Sequence, residues 1–366
     1  MADKLKALIV DDTAVYRKIL TDILNEQSEI EVVGTASNGE LAIKKARLLH
    51  PDLITLDLEM PVMDGLEALP QLKKDNPDTA IIMVSAHTTS GAKTTMKALQ
   101  AGALDFIAKP DRSSMEASRL EIQQQLRTVL RSVISKYQVQ AALGRKPVIK
   151  TFKPPPPEPV KAPPDSIAER MAKITGMTKP EIIAIGISTG GPQALTKVIP
   201  RLPANLKIPI VIVQHMPPVF TKALADSLTK VSQLEVIEAS DGQKLEAGHV
   251  YIAPGGKQMR INKENGIAQI VITDDPPENH CKPSVDYLFR SLSLFYKGNV
   301  LSIIMTGMGK DGAVGMRLLK RLGAKTIAQD EQSCTVFGMP MEAIRTGVVD
   351  NVVSLEDMSR EIMAAI

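Results

Sequence analysis

The feature that most constrains this chain is a repeated alternation. Short, almost wholly apolar runs are separated by stretches with helical periodicity. In the first ~110 residues the runs fall at 7–10, 30–36, 53–58, 80–84 and 106–108, with helix candidates at 14–25, 40–49, 65–74 and 93–100. A strand apolar on both faces must be covered on both faces, and the intervening helices can do this only around a parallel sheet. The same alternation returns after residue 180, with strand candidates at 182–187, 208–214, 234–238, 250–253, 300–305 and 325–328. There Asn265-Gly266 lies between apolar runs at 259–261 and 268–272, a two-residue hairpin signal. The expected class is α/β, with two doubly wound, mainly parallel sheets and one antiparallel ribbon in the second.

Between the two halves the composition changes. Pro154-Pro155-Pro156-Pro157 and Pro163-Pro164 exclude helix and strand interiors and favour an extended spacer. A ligand for a proline-binding groove is the alternative. A helix predicted to begin after Ser113 or Ser114 continues through Val133 towards this linker, and a short helix is expected at 166–174. The expected domains are 1–125, a connecting 126–179, and 180–366.

Composition narrows the function. The 44 basic and 41 acidic residues leave a net charge of +3, which argues against a dedicated polyanion binder. Aromatics make up 3% of the chain and tryptophan is absent, so base stacking is not a theme. No nucleic-acid partner is expected. Cys281 and Cys334 match no metal or disulfide spacing and read as ordinary residues of a reducing compartment. The N-terminal residues lack a signal peptide's apolar segment, and no apolar run reaches ~18 residues. The expected location is the cytoplasm, without membrane insertion.

Groups beyond the carboxyl ends of parallel strands share one crevice. In the first half these are Asp11, Asp12, Asp57, Ser85 and Lys109. Carboxylates there suit Mg²⁺, a hard cation that keeps phosphate oxygens as further ligands. Asp57 can then act as a nucleophile towards phosphorus, with Lys109 neutralising phosphate charge and the Ser85 hydroxyl bonding a phosphate oxygen. Taken singly, Asp12 could be a helix cap and Lys109 a solvated charge. Five such residues at one sheet edge make the common site the better reading.

In the second half, Gly186-Ile187-Ser188-Thr189-Gly190 follows a strand and precedes a helix. Ser188 is therefore a candidate nucleophile on a tight turn. His215 ends the next strand, and Asp311 follows the strand at 300–305. His215 can take the serine proton, and Asp311 can hold the imidazole. Backbone amides near Thr189 and Met308 could stabilise an oxyanion. From the motif alone, phosphate binding stays open, although the lysine-bearing phosphate loop and Gly-x-Gly-x-x-Gly are both absent. The order Ser, His, Asp also differs from that of α/β-hydrolases.

Two resemblances sharpen this. Leu8-Ile9-Val10-Asp11-Asp12, Asp57 through Gly65, Ser85-Ala86 and Phe106-Ile107-Ala108-Lys109-Pro110 resemble a response-regulator receiver domain of flavodoxin-like fold. The resemblance implies phosphorylation of Asp57 by a chemotaxis histidine kinase. It implies Mg²⁺ on Asp11, Asp12, Asp57 and the Glu59 backbone carbonyl, and a switch pair of Ser85 and Phe106. His87 has no part in it and is read as structural. Ile185 through Pro192, Gln214-His215-Met216-Pro217, Tyr251 through Gly256, Lys282 through Asp286, Met305 through Gly312 and Gln329 through Cys334 resemble the chemotaxis receptor methylesterases. Ile187 departs from the smaller residue usual in that family.

This second resemblance implies hydrolysis of glutamate γ-methyl esters on methyl-accepting chemoreceptors, with methanol released. It also implies deamidation of receptor glutamines, and no cofactor in the esterase site. The tandem order leads to the expectation that the unphosphorylated receiver lies against the catalytic cleft. A receiver with a nucleic-acid-binding output and a serine peptidase are the alternatives.

Overall fold

The computed structural model describes residues 4–110, 115–142, 179–264 and 266–366. The proline tracts and the short helix expected at 166–174 lie outside these residues.

The first unit runs β1 (Leu5–Val10), α1 (Ala14–Asn25), β2 (Ile30–Ala36), α2 (Gly39–Leu49), β3 (Leu53–Asp57), α3 (Gly65–Asp75), β4 (Ala80–Ala86), α4 (Thr89–Gln100), β5 (Asp105–Lys109) and α5 (Met115–Ala142). Its strands pair in parallel in the order β2-β1-β3-β4-β5. This is the flavodoxin-like order, whose crevice opens beyond the carboxyl ends of β1 and β3. Every residue of β3 is buried, Thr55 and Asp57 included, as a central strand covered on both faces requires. On α5, Ile122, Leu126, Val129, Leu130 and Val133 form a buried stripe at helical spacing against Leu20, Ile23 and Leu24 of α1 and Ile107 of β5.

The second unit runs β6 (Ile182–Ile187), α6 (Gly191–Val198), β7 (Ile210–Gln214), α7 (Phe220–Thr229), β8 (Glu235–Glu238), β9 (His249–Ile252), β10 (Gln258–Glu264), β11 (Ile267–Thr273) and α8 (Val285–Phe295). It continues with β12 (Val300–Ile304), α9 (Ala313–Arg321), β13 (Lys325–Gln329), α10 (Met339–Arg345), β14 (Asn351–Val353) and α11 (Met358–Ala365). Seven strands form a parallel sheet in the order β14-β13-β12-β6-β7-β9-β8, while β10 and β11 pair antiparallel as the hairpin signal requires. The chain passes from β6 to β7 on one side and later returns to β12 on the other. Residues beyond β6, β7 and β12 therefore meet in one crevice.

The edge strand β14 was not anticipated from sequence. It has three residues, two of them exposed, so it carries no apolar run to reveal it.

The two units pack directly. One apolar cluster runs unbroken from Met83, Met96, Leu99 and Phe106 of the first into Ile187, Leu195, Phe220 and Leu224 of the second. At the seam, Gln100 Nε2 donates to Ser227 Oγ at 2.9 Å, and Gln193 Nε2 donates to the Ala103 carbonyl.

Candidate active site and phosphoacceptor pocket

The first pocket is built from the ends of β1, β3, β4 and β5. The loop from 58 to 64 is drawn back to the sheet by the Gly65 N–H, which donates to the Leu58 carbonyl at 3.0 Å. A Cβ on Gly65 would lie 2.1 Å from the Asp57 carbonyl oxygen, so only glycine lets α3 start there. Asp64 and Glu67 cap α3 reciprocally.

Asp11 and Asp57 are buried, and Asp12 is exposed at the rim. Oxygens of the three carboxylates lie within 4.8 Å of one another. Lys109 Nζ reaches Asp57 Oδ2 at 2.6 Å and Asp11 Oδ2 at 3.0 Å. Burial pushes the Asp57 carboxyl up to about 7; Lys109 opposes the shift, and the Asp11 and Asp12 charges reinforce it. One ammonium thus contacts two of the three clustered carboxyl groups. Asp11 Oδ2 is buried and, among the described residues, has only the Lys109 ion pair. That donor set fits a hard divalent cation. Glu59 stands two residues beyond Asp57, exposed in the same loop.

Ser85 is buried at the end of β4, and its Oγ accepts a hydrogen bond from Thr95 Oγ1 of α4 at 2.8 Å. Phe106 turns into the seam and stacks on Phe220, with ring centroids 4.4 Å apart. His87 also belongs to the seam. Its Nε2 lies 3.0 Å from the Pro218 carbonyl, and its ring stacks on Phe220. Its role is contact between the units, a finer assignment than the structural one read from sequence.

In the second pocket, Ser188 and Thr189 follow β6 and are buried. Gly190 has φ 76°, and a Cβ there would meet Thr335 Oγ1 at 2.3 Å; glycine lets the chain turn tightly into α6. The pairing of Ile187 with Gln214 makes Ser188 and His215 the next residues on neighbouring strands. The Ser188 N–H donates to the Thr306 carbonyl at 2.9 Å, so the loop after β12 lies on the other side. Thr306 Oγ1 in turn donates to the Thr189 carbonyl at 2.9 Å. Met308 follows in that loop. Among the described residues, neither the Thr189 nor the Met308 amide donates to a backbone carbonyl or a side chain, which leaves both N–H groups for a ligand.

Asp311 is buried and meets His215 at 2.9 Å, Oδ2 to Nε2. Its Oδ2 also accepts from the Val285 N–H at 2.7 Å. Its Oδ1 accepts from Ser284 Oγ at 2.8 Å, Asn279 Nδ2 at 2.9 Å and the Asp286 N–H at 3.1 Å. Asp311 therefore sits at the N-terminus of α8, where free N–H groups and the helix dipole favour an anion. Burial alone would raise its carboxyl, but the His215 bond and charge and the Val285 and Asn279 donors outweigh burial, and it falls to about 2. Burial alone would also lower the imidazole, yet bonds to Asp311 and Cys281 and their charges push His215 up to about 10.

The second nitrogen of His215, Nδ1, lies 3.7 Å from Cys281 Sγ. By its spacing Cys281 reads as an ordinary residue; the loop before α8 carries it to the imidazole. The hydrogen bonds of the imidazole among the described residues go to Asp311 and Cys281, and none goes to Ser188. Asn279 and Ser284 also went unassigned from sequence. Asn279 bridges Asp311 and Asp286, both contacts at 2.9 Å.

The pockets are linked across the seam. Asp105, next to Phe106 on β5, lies near enough to the Thr189 side chain, beside Ser188, for that group to lower its carboxyl against the effect of burial. With the Gln193–Ala103 and His87–Pro218 bonds, this sets the first unit against the mouth of the second crevice.

Comparison with known proteins gives the following. A response regulator receiver domain family matches residues 7–118, and the CheB methylesterase family matches residues 183–362. The protein-glutamate methylesterase/protein-glutamine glutaminase of Desulfotalea psychrophila is 46% identical, over 98% of each chain. The protein of the same name from Bacillus subtilis is 42% identical, over 99% of this chain and 98% of its own. The crystal structure of the Thermotoga maritima CheB methylesterase catalytic domain is 40% identical, with a TM-score of 0.51. It covers 52% of this chain and 100% of that one.

Proposed function

The chain belongs to the protein-glutamate methylesterase/protein-glutamine glutaminase family, with a response-regulator receiver ahead of a CheB methylesterase domain; from that premise we propose that it hydrolyses glutamate γ-methyl esters on chemoreceptors under control of phosphorylation. The observation that carries the reading is the 2.9 Å bond between His215 and Asp311, on the strand next to Ser188.

Ser188 Oγ attacks the γ-carbonyl carbon and loses its proton to His215. Because Nε2 is held by Asp311, Nδ1 is the nitrogen that takes it. Nδ1 now faces Cys281, and the resting imidazole holds its proton tightly. Catalysis therefore requires Nδ1 to exchange Cys281 for Ser188. The Thr189 and Met308 amides receive the oxyanion. Collapse expels methoxide, which leaves as methanol with the proton from His215. Water then attacks the acyl-serine, His215 again takes and returns a proton, and the glutamate side chain is released. A glutamine substrate follows the same course with ammonia leaving.

In the receiver, Asp11, Asp12, Asp57 and the Glu59 carbonyl would hold Mg²⁺, which supplies charge neutralisation for the incoming phosphoryl group. Asp57 accepts that group from a chemotaxis histidine kinase, and Lys109 and Ser85 bind its oxygens. Reorientation of Ser85 and Phe106 loosens the seam and admits the receptor helix. An enzyme acting on this substrate and taking phosphate from this kinase would work in the cytoplasm; among the described residues no helix is long and apolar enough to cross a membrane.

The test is methanol release from methylated receptor membranes by the wild type and Ser188→Ala, with and without a small phosphodonor and Mg²⁺. Release that depends on Ser188 and rises with phosphodonor is expected. Release unaffected by Ser188→Ala would overturn the assignment of the nucleophile.

A further inference from the structure

Outside the catalytic cycle just derived, one contact at the active site has no task. Cys281 Sγ stands 3.7 Å from His215 Nδ1. Donor atoms of His215, Cys281 and Asp311 all lie within 4.8 Å of one another. The cysteine is half-buried.

The geometry matches a known coordination requirement. Tetrahedral Zn²⁺ has bonds of ~2.3 Å to sulfur and ~2.0–2.1 Å to imidazole nitrogen, which puts the two donors about 3.6 Å apart. The Sγ to Nδ1 separation is thus one edge of a zinc tetrahedron before any metal binds. Asp311 completes the pattern from outside the coordination sphere. Its Oδ2 holds the opposite nitrogen, Nε2, at 2.9 Å, which fixes the tautomer with Nδ1 as the ligand atom. A carboxylate on the far nitrogen is the usual support of a zinc-bound histidine. Asp311 is itself anchored by Val285, Ser284, Asn279 and Asp286, so the imidazole is oriented before the ion arrives.

We propose that His215 Nδ1 and Cys281 Sγ form a binding site for Zn²⁺, with water in the remaining positions, and that the bound ion reversibly inhibits the esterase. The ion acts as an inhibitor and not as a cofactor. Binding forms one Zn–S and one Zn–N bond, and any proton on Sγ or Nδ1 leaves to solvent. Inhibition rests on the reading of His215 as the general base, because the metal occupies the nitrogen that must accept the Ser188 proton. A borderline-soft ion is required. Mg²⁺, which serves the oxygen ligands of the receiver, has little affinity for a thiolate–imidazole pair.

The test uses the full chain and Co²⁺ as a spectroscopic stand-in for Zn²⁺. Wild type should show the near-ultraviolet thiolate-to-cobalt charge-transfer band, and added Zn²⁺ should bleach it. Cys281→Ser and Cys281→Ala, both of which keep Cys334, should lack it. The receiver carboxylates contain no sulfur and cannot give this band. Methanol release without phosphodonor should fall with Zn²⁺ and return with chelator. Cys281→Ser should need at least about tenfold more Zn²⁺ for the same fractional loss, the usual scale for weakening a metal site. No cobalt band in the wild type, a band that survives both substitutions, or equal zinc sensitivity of wild type and variants would overturn the proposal. A Cys281-dependent band with methanol release untouched by saturating Zn²⁺ would uphold the site and overturn His215 as the base.

Discussion

The ring of Phe106, on the last strand of the receiver, lies 4.4 Å from the ring of Phe220 in the methylesterase domain, centroid to centroid. Its neighbour Asp105 lies beside the side chain of Thr189, the residue after Ser188. One β-strand end thus reports on the phosphoacceptor pocket and touches the catalytic turn. Under the proposed switch, coupling through such a contact needs no long relay, because Phe106 is itself part of the seam.

A wedge in the seam should mimic activation. Gln100 and Ser227 meet at its edge, outside both cores. Ser227→Arg would put a long cation there and favour the open form. Methanol release without phosphodonor should rise, within the ~5–150-fold that a typical coupling of 1–3 kcal/mol allows, and phosphodonor should add correspondingly less. Initial rates with and without phosphodonor check this, and an unchanged basal rate would count against the seam as the inhibitory contact.

Docking should weaken as pH rises through neutrality. Burial pushes Asp105 up to about 7, against the donors Phe106 N–H and Thr189. A carboxyl raised on docking binds its proton more tightly docked than free. The docked form is therefore favoured at low pH and loses that advantage as pH climbs through the docked value. Asp105→Asn stays neutral throughout. The basal rate of wild type relative to Asp105→Asn should increase from about pH 6 to about pH 8. A flat ratio would remove Asp105 from the docking equilibrium.

The proposed roles of Ser188 and Asp311 predict large losses, and that of Asn279 a smaller one. Ser188→Ala removes the nucleophile and should lower methanol release by at least about 10³-fold. Asp311→Asn leaves an amide where His215 needs an anion and should cost roughly 10³–10⁴-fold. Asn279→Ala removes one of several supports of Asp311 and should cost less than either. Rates measured with phosphodonor present, and circular dichroism to verify folding, check the order.

Phosphoryl uptake should require Asp57 and a divalent cation. Asp57→Asn should abolish phosphodonor stimulation, and chelation of Mg²⁺ should do the same in the wild type. Incorporation of labelled phosphate from a small-molecule donor is the direct measurement. Stimulation that persists in Asp57→Asn would place the phosphoacceptor elsewhere.

Much of this arrangement was legible in the sequence. Strands such as those at 80–84 and 182–187 are near-continuous apolar runs, and parallel pairing puts the polar residue after each run at one edge. Asp57, Lys109, Ser188 and His215 could be found for that reason. Contacts made by loops and by the seam had no such signal. Cys281 meets His215 across 66 residues because of the path into α8, and Gln100 meets Ser227 across 127. Periodicity describes an element's own faces and says nothing about which exposed glutamine will find a serine on another domain.

The seam carries one more consequence. Its apolar cluster is continuous from Met96 and Phe106 to Phe220 and Leu224. Opening it wets hydrocarbon surface, and exposed hydrocarbon raises heat capacity. The balance between shut and open enzyme must then curve with temperature, as a folding equilibrium does on a smaller scale. Under the proposed regulation the response gain would depend on warmth as well as on the kinase, and the seam residues would decide by how much.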